Sequence, residues 1–411
     1  MTERGGQVEF DVHVRSLDLT NYRNFRRLAL TLEEGPTIIQ ADNAQGKTNL
    51  LEAVELLATT KSSRAGSDRE LIHWDALKGG DDSPASFGRF ARISAVVARE
   101  SGDLRVEVVI RPAEPSENGV GPAAVKLLRL NGLARRAVDF IGQVNVVSFA
   151  PADVLLVAGP PHGRRRYLDV TNSQMNSRYL RALQRYTKVL AQRNHLLRHM
   201  REERRIDPSL AVWDEELAGS GAVLVEERAR SVVALSERAD WWFEELGGYR
   251  RRLEVRYRPA MGGLEAEALE GISASQAEEH VRNVFVAALG RWRPRELAAG
   301  ISLIGPHRDD LLFVLDGADL NIYGSRGQQR LAALSLKLAE LDLLTERTGS
   351  RPILVLDDAL SELDQRKQAG VVHAAAGSGQ ALLTVTNLDV VDRGALPHAT
   401  ILHLQAGALV A

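Results

Sequence analysis

Three hydrophobic patterns follow one another along this chain, and their order predicts an α/β fold interrupted by a helical lobe. Residues 14–19 alternate apolar and polar positions, as a half-buried strand does, and residues 28–32 read as a second strand. Asn21-Tyr22-Arg23-Asn24-Phe25-Arg26-Arg27 reads as the turn between them, with Tyr22 and Phe25 as core or turn aromatics. Residues 90–99, 104–110 and 125–130 read as further strands. Gly102 breaks the first pair, and Asn131-Gly132 marks a hairpin. These predict an antiparallel layer, after a break at residues 81–86. Residues 144–149 form a largely apolar run, expected of a strand buried on both faces.

From about Arg164 the period becomes helical. Tyr179, Leu183, Tyr186, Leu190, Leu197 and Met200 lie on one face of a first helix. Asp207-Pro208 reads as the start of a second, since Asp caps and Pro fits the first turn. Trp213, Leu217, Leu224, Leu235, Trp242, Phe243 and Leu246 form its apolar side, and Gly247-Gly248 stops it. Two antiparallel helices, an inserted arm, are predicted. Residues 253–257 then read as a strand and 275–289 as a helix ended by Gly290-Arg291-Trp292-Arg293-Pro294. Residues 301–304 and 310–315 read as strands around Gly305-Pro306-His307-Arg308-Asp309-Asp310, and residues 331–340 as a helix.

The first candidate chemistry is Ala41-Asp42-Asn43-Ala44-Gln45-Gly46-Lys47-Thr48, between the apolar run Thr37-Ile38-Ile39 and a helix opening at Asn49. Strand, glycine-bearing loop, Lys-Thr and helix is the layout of a phosphate-binding P-loop. Successive backbone N–H groups point at the anion, and the helix presents its positive end to it. Lys47 would reach the β- and γ-phosphates and the Thr48 hydroxyl would sit on Mg²⁺. Ala41 stands where the pattern usually has Gly, so the loop must enter with negative φ or carry strain.

The other half of that site lies some 310 positions on. Ile353-Leu354-Val355-Leu356-Asp357-Asp358 is a buried-strand pattern ending in two acids, at the sheet edge where ligands bind in such folds. Asp357 suits the Walker B role of holding Mg²⁺, directly or through water. Asp358 is placed to polarise the attacking water. The predicted fold is therefore a P-loop head in two pieces, residues 1–165 and 296–411, with a helical arm lobe at residues 166–295 explaining the gap.

Composition narrows the partners. The chain has 411 residues, a net charge of -2 and no cysteine, which excludes disulfides, thiol catalysis and Cys-ligated zinc and fits a reducing cytoplasm. No signal-peptide core precedes residue 16, and no apolar run reaches membrane-spanning length, so no membrane role is expected. Basic charge is local. Between residues 164 and 205 twelve bases face three acids, leaving nine net positive charges. Like charges on one helix repel, so an external polyanion would stabilise this face. Arg178, Arg181, Arg185, Lys188 and Arg193 are the candidate DNA contacts.

Ser325-Arg326-Gly327-Gln328-Gln329, at a helix start, resembles the signature motif of ABC-type ATPases. Ser361 and Asp364 of Ser361-Glu362-Leu363-Asp364 match the D-loop of that superfamily, and Thr386-Asn387 occupies its switch position. The fold class is thus an ABC-type ATPase head with an antiparallel β subdomain and an inserted helical lobe. All these motifs, together with the Gly305-to-Asp310 block, Asn21 to Arg26, Arg165-Arg166-Tyr167-Leu168-Asp169 and Val147 to Pro151, resemble the RecF family of bacterial recombination mediators over nearly the whole chain.

The resemblance implies a homodimer driven by ATP and Mg²⁺, with each nucleotide bound by residues 41–49 of one protomer and the Ser325–Gln329 signature of the other. Slow hydrolysis, assisted by Lys47 and Asp358 and stimulated by DNA, would reset it. It also implies binding to DNA at single-strand gaps or junctions. With RecR and RecO, the family helps load RecA onto DNA coated by single-strand-binding protein. Asn387 replaces the switch His of many ABC ATPases, and Asp358 replaces the transporter Glu; both suit a slow switch. Gln143 is the available Q-loop glutamine but precedes its strand. An SMC-like DNA-repair ATPase is one alternative, although its coiled coil would be far longer. The soluble ATPase subunit of a transporter is another, which the arginine-rich arm disfavours. A scaffold that binds ATP and barely hydrolyses it stays open.

Overall fold

The computed structural model describes residues 12–78, 89–113, 124–248, 250–262, 264, 269, 271–361, 363–392 and 394–410. The expected break at residues 81–86 and D-loop residue Glu362 lie outside them. In chain order the elements begin with β1 (His13–Tyr22), β2 (Phe25–Thr31), β3 (Gly35–Gln40), α1 (Lys47–Thr59) and α2 (Trp74–Lys78). There follow β4 (Ala91–Ala98), β5 (Leu104–Pro112), β6 (Ala124–Leu130), β7 (Leu133–Arg135), α3 (Ala137–Phe140), β8 (Val146–Phe149) and α4 (Leu155–Ala158). The helical stretch holds α5 (Pro161–Met175), α6 (Ser177–Glu203) and α7 (Leu210–Gly247), then β9 (Leu253–Arg258) and α8 (Ala274–Ala299). The chain continues with β10 (Asp310–Leu315), β11 (Ala318–Asp319), α9 (Leu320–Tyr323), α10 (Arg326–Thr348) and β12 (Ile353–Asp357). It closes with α11 (Gln365–Ala376), β13 (Gln380–Val385), β14 (Thr400–Gln405) and β15 (Ala408–Val410).

Two compact units result: Met1–Ala152 with Leu341–Ala411, and Asp153–Glu340. These limits differ from the sequence boundaries at 165/166 and 295/296. The latter cut separates β9 from β10, which pair antiparallel from Leu253↔Leu315 to Arg258↔Asp310.

The first unit has two six-stranded sheets. One runs β2-β1-β4-β5-β6-β7, all antiparallel, and Asn131 and Gly132 turn its last hairpin with φ of 49° and 81°. The first turn is only Arg23-Asn24, because Phe25 to Arg27 already belong to β2. The other sheet runs β15-β14-β3-β13-β12-β8 and is parallel except for β15. β13 is buried along its whole length and β12 as far as Asp357, as a doubly covered sheet requires. Leu50, Leu51, Val54 and Leu57 of α1 pack in one core with Leu17, Leu19, Ile93 and Val106 of the first sheet and Ile39, Val355 and Leu382 of the second. Truncating any such leucine to alanine would cost roughly 2–5 kcal/mol.

The second unit combines its helices with the sheet β11-β10-β9. Asn176, Arg185 and Arg193 of the first helical stretch bond Glu227, Glu216 and Asp214 in turn, so α6 and α7 run antiparallel. Three expectations need correction. Asp207 and Pro208 form a turn, with Asp207 accepting from the Ser209 amide, and α7 starts at Leu210. α8 does not end near Pro294 but runs through it to Ala299. The lost hydrogen bond is tolerated because buried Glu296, beyond the proline, binds Arg193 and the Leu303 amide. Residues 301–304 are not a strand. The Ser302 amide bonds Asn194, the Ser302 hydroxyl accepts from Arg193, and the Leu303 amide goes to Glu296, so side chains satisfy what a ladder would. Among the described residues no helix is long and apolar enough to cross a membrane.

Candidate nucleotide site

The loop after β3 and the acids at the end of β12 meet at the C-terminal edge of the parallel sheet. β13 lies between those strands, with Asp357 in register with Thr384 and Thr384 in register with Ile39. Thr48 Oγ1 donates to Asp357 Oδ1 at 3.1 Å, and Thr384 Oγ1 donates to the same oxygen at 2.9 Å. The Asp358 amide in turn donates to Thr384 Oγ1 at 2.9 Å. Thr384 is therefore the joint between the two acids, and sequence reasoning missed its role. Its only signal was a hydroxyl in an otherwise apolar strand run.

Lys47 is buried, and its Nζ donates to the Ala41 carbonyl at 2.5 Å and to the Val385 carbonyl at 3.4 Å. An ammonium has three donors, which leaves one for a phosphate oxygen. Burial lowers the Lys47 pKa, against the pull of Asp358, Asp357 and Asp42. An arriving phosphate would favour the charged ammonium further. Ala41 does not have positive φ; the left-handed positions are Ala44 at 66° and Gly46 at 106°. The loop therefore enters as expected, and the strain sits three residues later. Gly46 is required twice over, because a Cβ there would lie 2.5 Å from Asn24 Nδ2 and 3.0 Å from Phe25 Cζ.

Asn24 buttresses this loop. Its Nδ2 donates to the Gln45 carbonyl at 3.4 Å and its Oδ1 accepts from Asn49 Nδ2 at 2.7 Å. Gln45 Oε1 accepts from the Ala406 amide at 2.5 Å. What holds Asn24 is the preceding pair. Tyr22 and Arg23 both bond Glu52 of α1, Arg23 in a fork of two 2.8 Å bonds, and Ser62 adds a third donor residue. Burial pushes the Glu52 carboxyl up, but the bonds from Arg23, Ser62 and Tyr22 prevail and its pKa is lowered. Arg23 thus serves the fold.

Asp358 is held at φ 49°, a conformation Asp tolerates better than most residues. Ser361 Oγ donates to the Asp358 carbonyl at 2.9 Å, and Asp364 caps α11 through the Lys367 amide. Thr386 follows β13 and Asn387 caps the next turn through the Asp389 amide. Gln143 accepts from Arg99 and precedes β8. Among the described residues no three His, Asp or Glu side chains gather as a metal site. Thr48 and Asp357 suit a Mg²⁺ whose remaining ligands are phosphate oxygens and waters.

In the second unit, Ser325 and Gln328 form a reciprocal cap at the start of α10. Gln328 Oε1 accepts from the Ser325 amide at 2.9 Å, and Ser325 Oγ accepts from the Gln328 amide at 3.3 Å. Ser325, Arg326 and Gly327 are exposed, whereas Gln329 is buried and donates to the Leu320 carbonyl.

The candidate DNA residues divide. Arg193 is 0% exposed and bonds Asp214, Glu296 and Ser302, so it is a core residue and not a phosphate contact. Arg178 pairs with Glu278 and Arg185 with Glu216. Arg181 and Lys188 are exposed. The window count of nine charges overlooked these acids because α7 and α8 supply them.

No family model matches the chain. Among curated relatives, the DNA replication and repair protein RecF of Chloroflexus aurantiacus is 44% identical over 384 residues, covering 92% of this chain and 94% of the relative. The chain belongs to the RecF family. Bacillus subtilis RecF is 36% identical over 405 residues, 97% of this chain and all of the relative. A solved structure of the recombination mediator protein RecF with ATP, in the RecFOR pathway, superposes with TM-score 0.81 at 27% identity over 98% of each chain. The Smc head domain of Pyrococcus furiosus gives TM-score 0.51 at 14% identity, covering 97% of this chain and 95% of that one, and shares the fold. The P-loop ABC-type ATPase head predicted for this chain is thus the fold of its RecF relatives.

Proposed function

We propose that this RecF-family chain is an ATP-gated DNA-repair mediator and weak, DNA-stimulated ATPase. The observation that carries it is the Thr48–Asp357–Thr384 junction beside Lys47, which assembles both halves of a nucleotide site from segments far apart in sequence. Bound Mg²⁺ would neutralise phosphate charge. Lys47 orients the β- and γ-phosphates with its remaining donor. Thr48 and Asp357 hold the metal's ligand positions, and Asp358 polarises the attacking water. The site residues are 41–49. In the ATP dimer, Ser325 to Gln329 serve the partner's nucleotide, and Ser361, Asp364, Thr386 and Asn387 line the D-loop and switch positions.

The same reading gives the chain DNA at single-strand gaps or junctions as its polymer partner. RecR, acting with RecO and RecA, is its protein partner. The fold and the relatives support this reading, including a RecF solved with ATP in the RecFOR pathway. Lys47→Met should weaken ATP binding by about 10²-fold or more, since it removes a charged donor to two phosphates. Unchanged affinity by calorimetry would refute the nucleotide site.

A further inference from the structure

We propose that a cleft in the second unit, between the first turn of α5, the end of β9 and the Gly305-to-Asp310 turn, is a phosphate-binding site separate from the P-loop. The cleft has a volume of about 550 Å³, and Arg165, Arg258, Arg308 and His162 line it together with Asp310.

Most of the Gly305-to-Asp310 turn is committed to the fold. Gly305 has φ 119°, and a Cβ there would lie 2.6 Å from Phe285 and 2.6 Å from the Tyr186 hydroxyl. The Pro306 carbonyl accepts from Arg228, and His307 bonds Tyr186. Asp309 is 0% exposed and accepts from Arg228, Tyr257 and the Ala260 amide. Arg164 grips both oxygens of Asp310, at 2.6 and 3.0 Å. Arg308 is the exception: it is exposed, and the one hydrogen bond of its guanidinium among the described residues goes to the Ser302 carbonyl at 3.4 Å.

The charge in the cleft is therefore unbalanced. Asp310 is its single lining carboxylate, and Arg164 already neutralises it. Arg258 and Arg308 have no ion-pair partner among the described residues, and Arg165 donates to the Asp309 carbonyl. Burial lowers the Arg165 pKa, Arg228 and Arg308 add to that, and Asp310 and Asp309 oppose it. An arriving anion would relieve this crowding. No side chain caps the N-terminus of α5, so its dipole adds to the same field. The cleft between α6, α7 and α8 makes the contrast. Its Arg178, Arg185 and Arg282 are paired with Glu278, Glu216 and Glu215, and its fourth arginine, Arg181, bonds the Ser177 hydroxyl. Three arginines with forked donors suit a phosphate group, of a nucleic-acid backbone or of a free polyphosphate.

The test compares the full-length protein with the double variant Arg258→Ser/Arg308→Ser and with Arg258→Lys/Arg308→Lys. Pyrophosphate binding is read by calorimetry and duplex DNA binding by anisotropy across salt concentration. The P-loop is unchanged in all three, so differences report the cleft. The Ser variant should lose one pyrophosphate site. If the occupant is DNA, its salt slope should also fall by about one to two, and the Lys variant should keep most of it. Loss of pyrophosphate alone, with DNA unaffected or unbound by the wild type, identifies a free polyphosphate and leaves the site standing. Loss of DNA slope alone identifies the backbone. An unchanged pyrophosphate isotherm and an unchanged DNA slope in the Ser variant would overturn the site while leaving DNA binding elsewhere intact.

Discussion

Thr48 Oγ1 lies 3.1 Å from Asp357 Oδ1 across a separation of 309 positions in the chain. That bond ties the first turn of α1 to the end of β12, and Thr384 secures it from the strand between. The acid is oriented before any ligand arrives, which is what a metal site needs from its outer shell.

Thr384→Val should test this joint. It removes the donor to Asp357 and the acceptor for the Asp358 amide while keeping the side-chain shape. Leaving those groups unpaired should cost about 1–3 kcal/mol of stability. The Mg²⁺-dependent part of ATP affinity should fall, while affinity without Mg²⁺ should hold. Equal Mg²⁺ dependence in variant and wild type, by paired titrations, would remove Thr384 from the site.

Gly46→Ala should damage the loop without removing a phosphate-binding side chain. The new Cβ meets Asn24 at 2.5 Å and sits at φ 106°, so the loop must move off its buttress. ATP binding should drop, whereas secondary structure by circular dichroism should be retained. Full affinity would mean the loop has slack that the geometry does not show.

The fold and the loop were legible in the sequence because their signals are contiguous. Residues 41–49, the β12 run into Asp357 and the alternation of β1 each carry their own pattern. Contacts made in space were not legible. Nothing near Asn24 announces that it holds Gln45, and nothing near Arg193 announces that Asp214 and Glu296 bury it. Pro294 misled for the same reason, because contacts beyond the proline carry α8 onward. Charge counted along one helix cannot see the acids on its neighbours.

His307 and Glu52 should each take stability away in acid, in two separate pH stages, while buried Glu226, whose carboxyl pKa is raised by desolvation to about 7, acts in the opposite sense. His307 donates from Nε2 to the Ser302 carbonyl, so its Nδ1 accepts from Tyr186, and burial holds its pKa at about 4. The unfolded chain takes up that proton near pH 6.5. The His307 contribution to stability is thus lost as pH falls from about 6.5 toward 4, and that loss then levels off. Glu52, with its lowered pKa, adds a loss at lower pH, as the unfolded carboxyl protonates first near about 4.3. In denaturant titrations at several pH values, His307→Gln should flatten the upper stage alone. An NMR titration of His307 centred above pH 6 would contradict the first stage.

Ser325→Arg should separate nucleotide binding from assembly. It removes half of the reciprocal cap with Gln328 and places bulk at the exposed start of α10. Monomer affinity for ATP should stay within about twofold, since the P-loop is untouched, while ATP-induced dimers should disappear in ultracentrifugation. Persisting dimers would remove the signature from the dimer contact.

The central claim, that ATP closes two copies of this chain on one another, is tested most directly by light scattering with and without ATP and Mg²⁺. Without nucleotide, or with ADP, the mass should be that of one 45.1 kDa chain. Saturating ATP with Mg²⁺ should double it, and Lys47→Met should prevent the change. A mass that stays at one chain under saturating ATP and Mg²⁺, with and without DNA, would contradict the account.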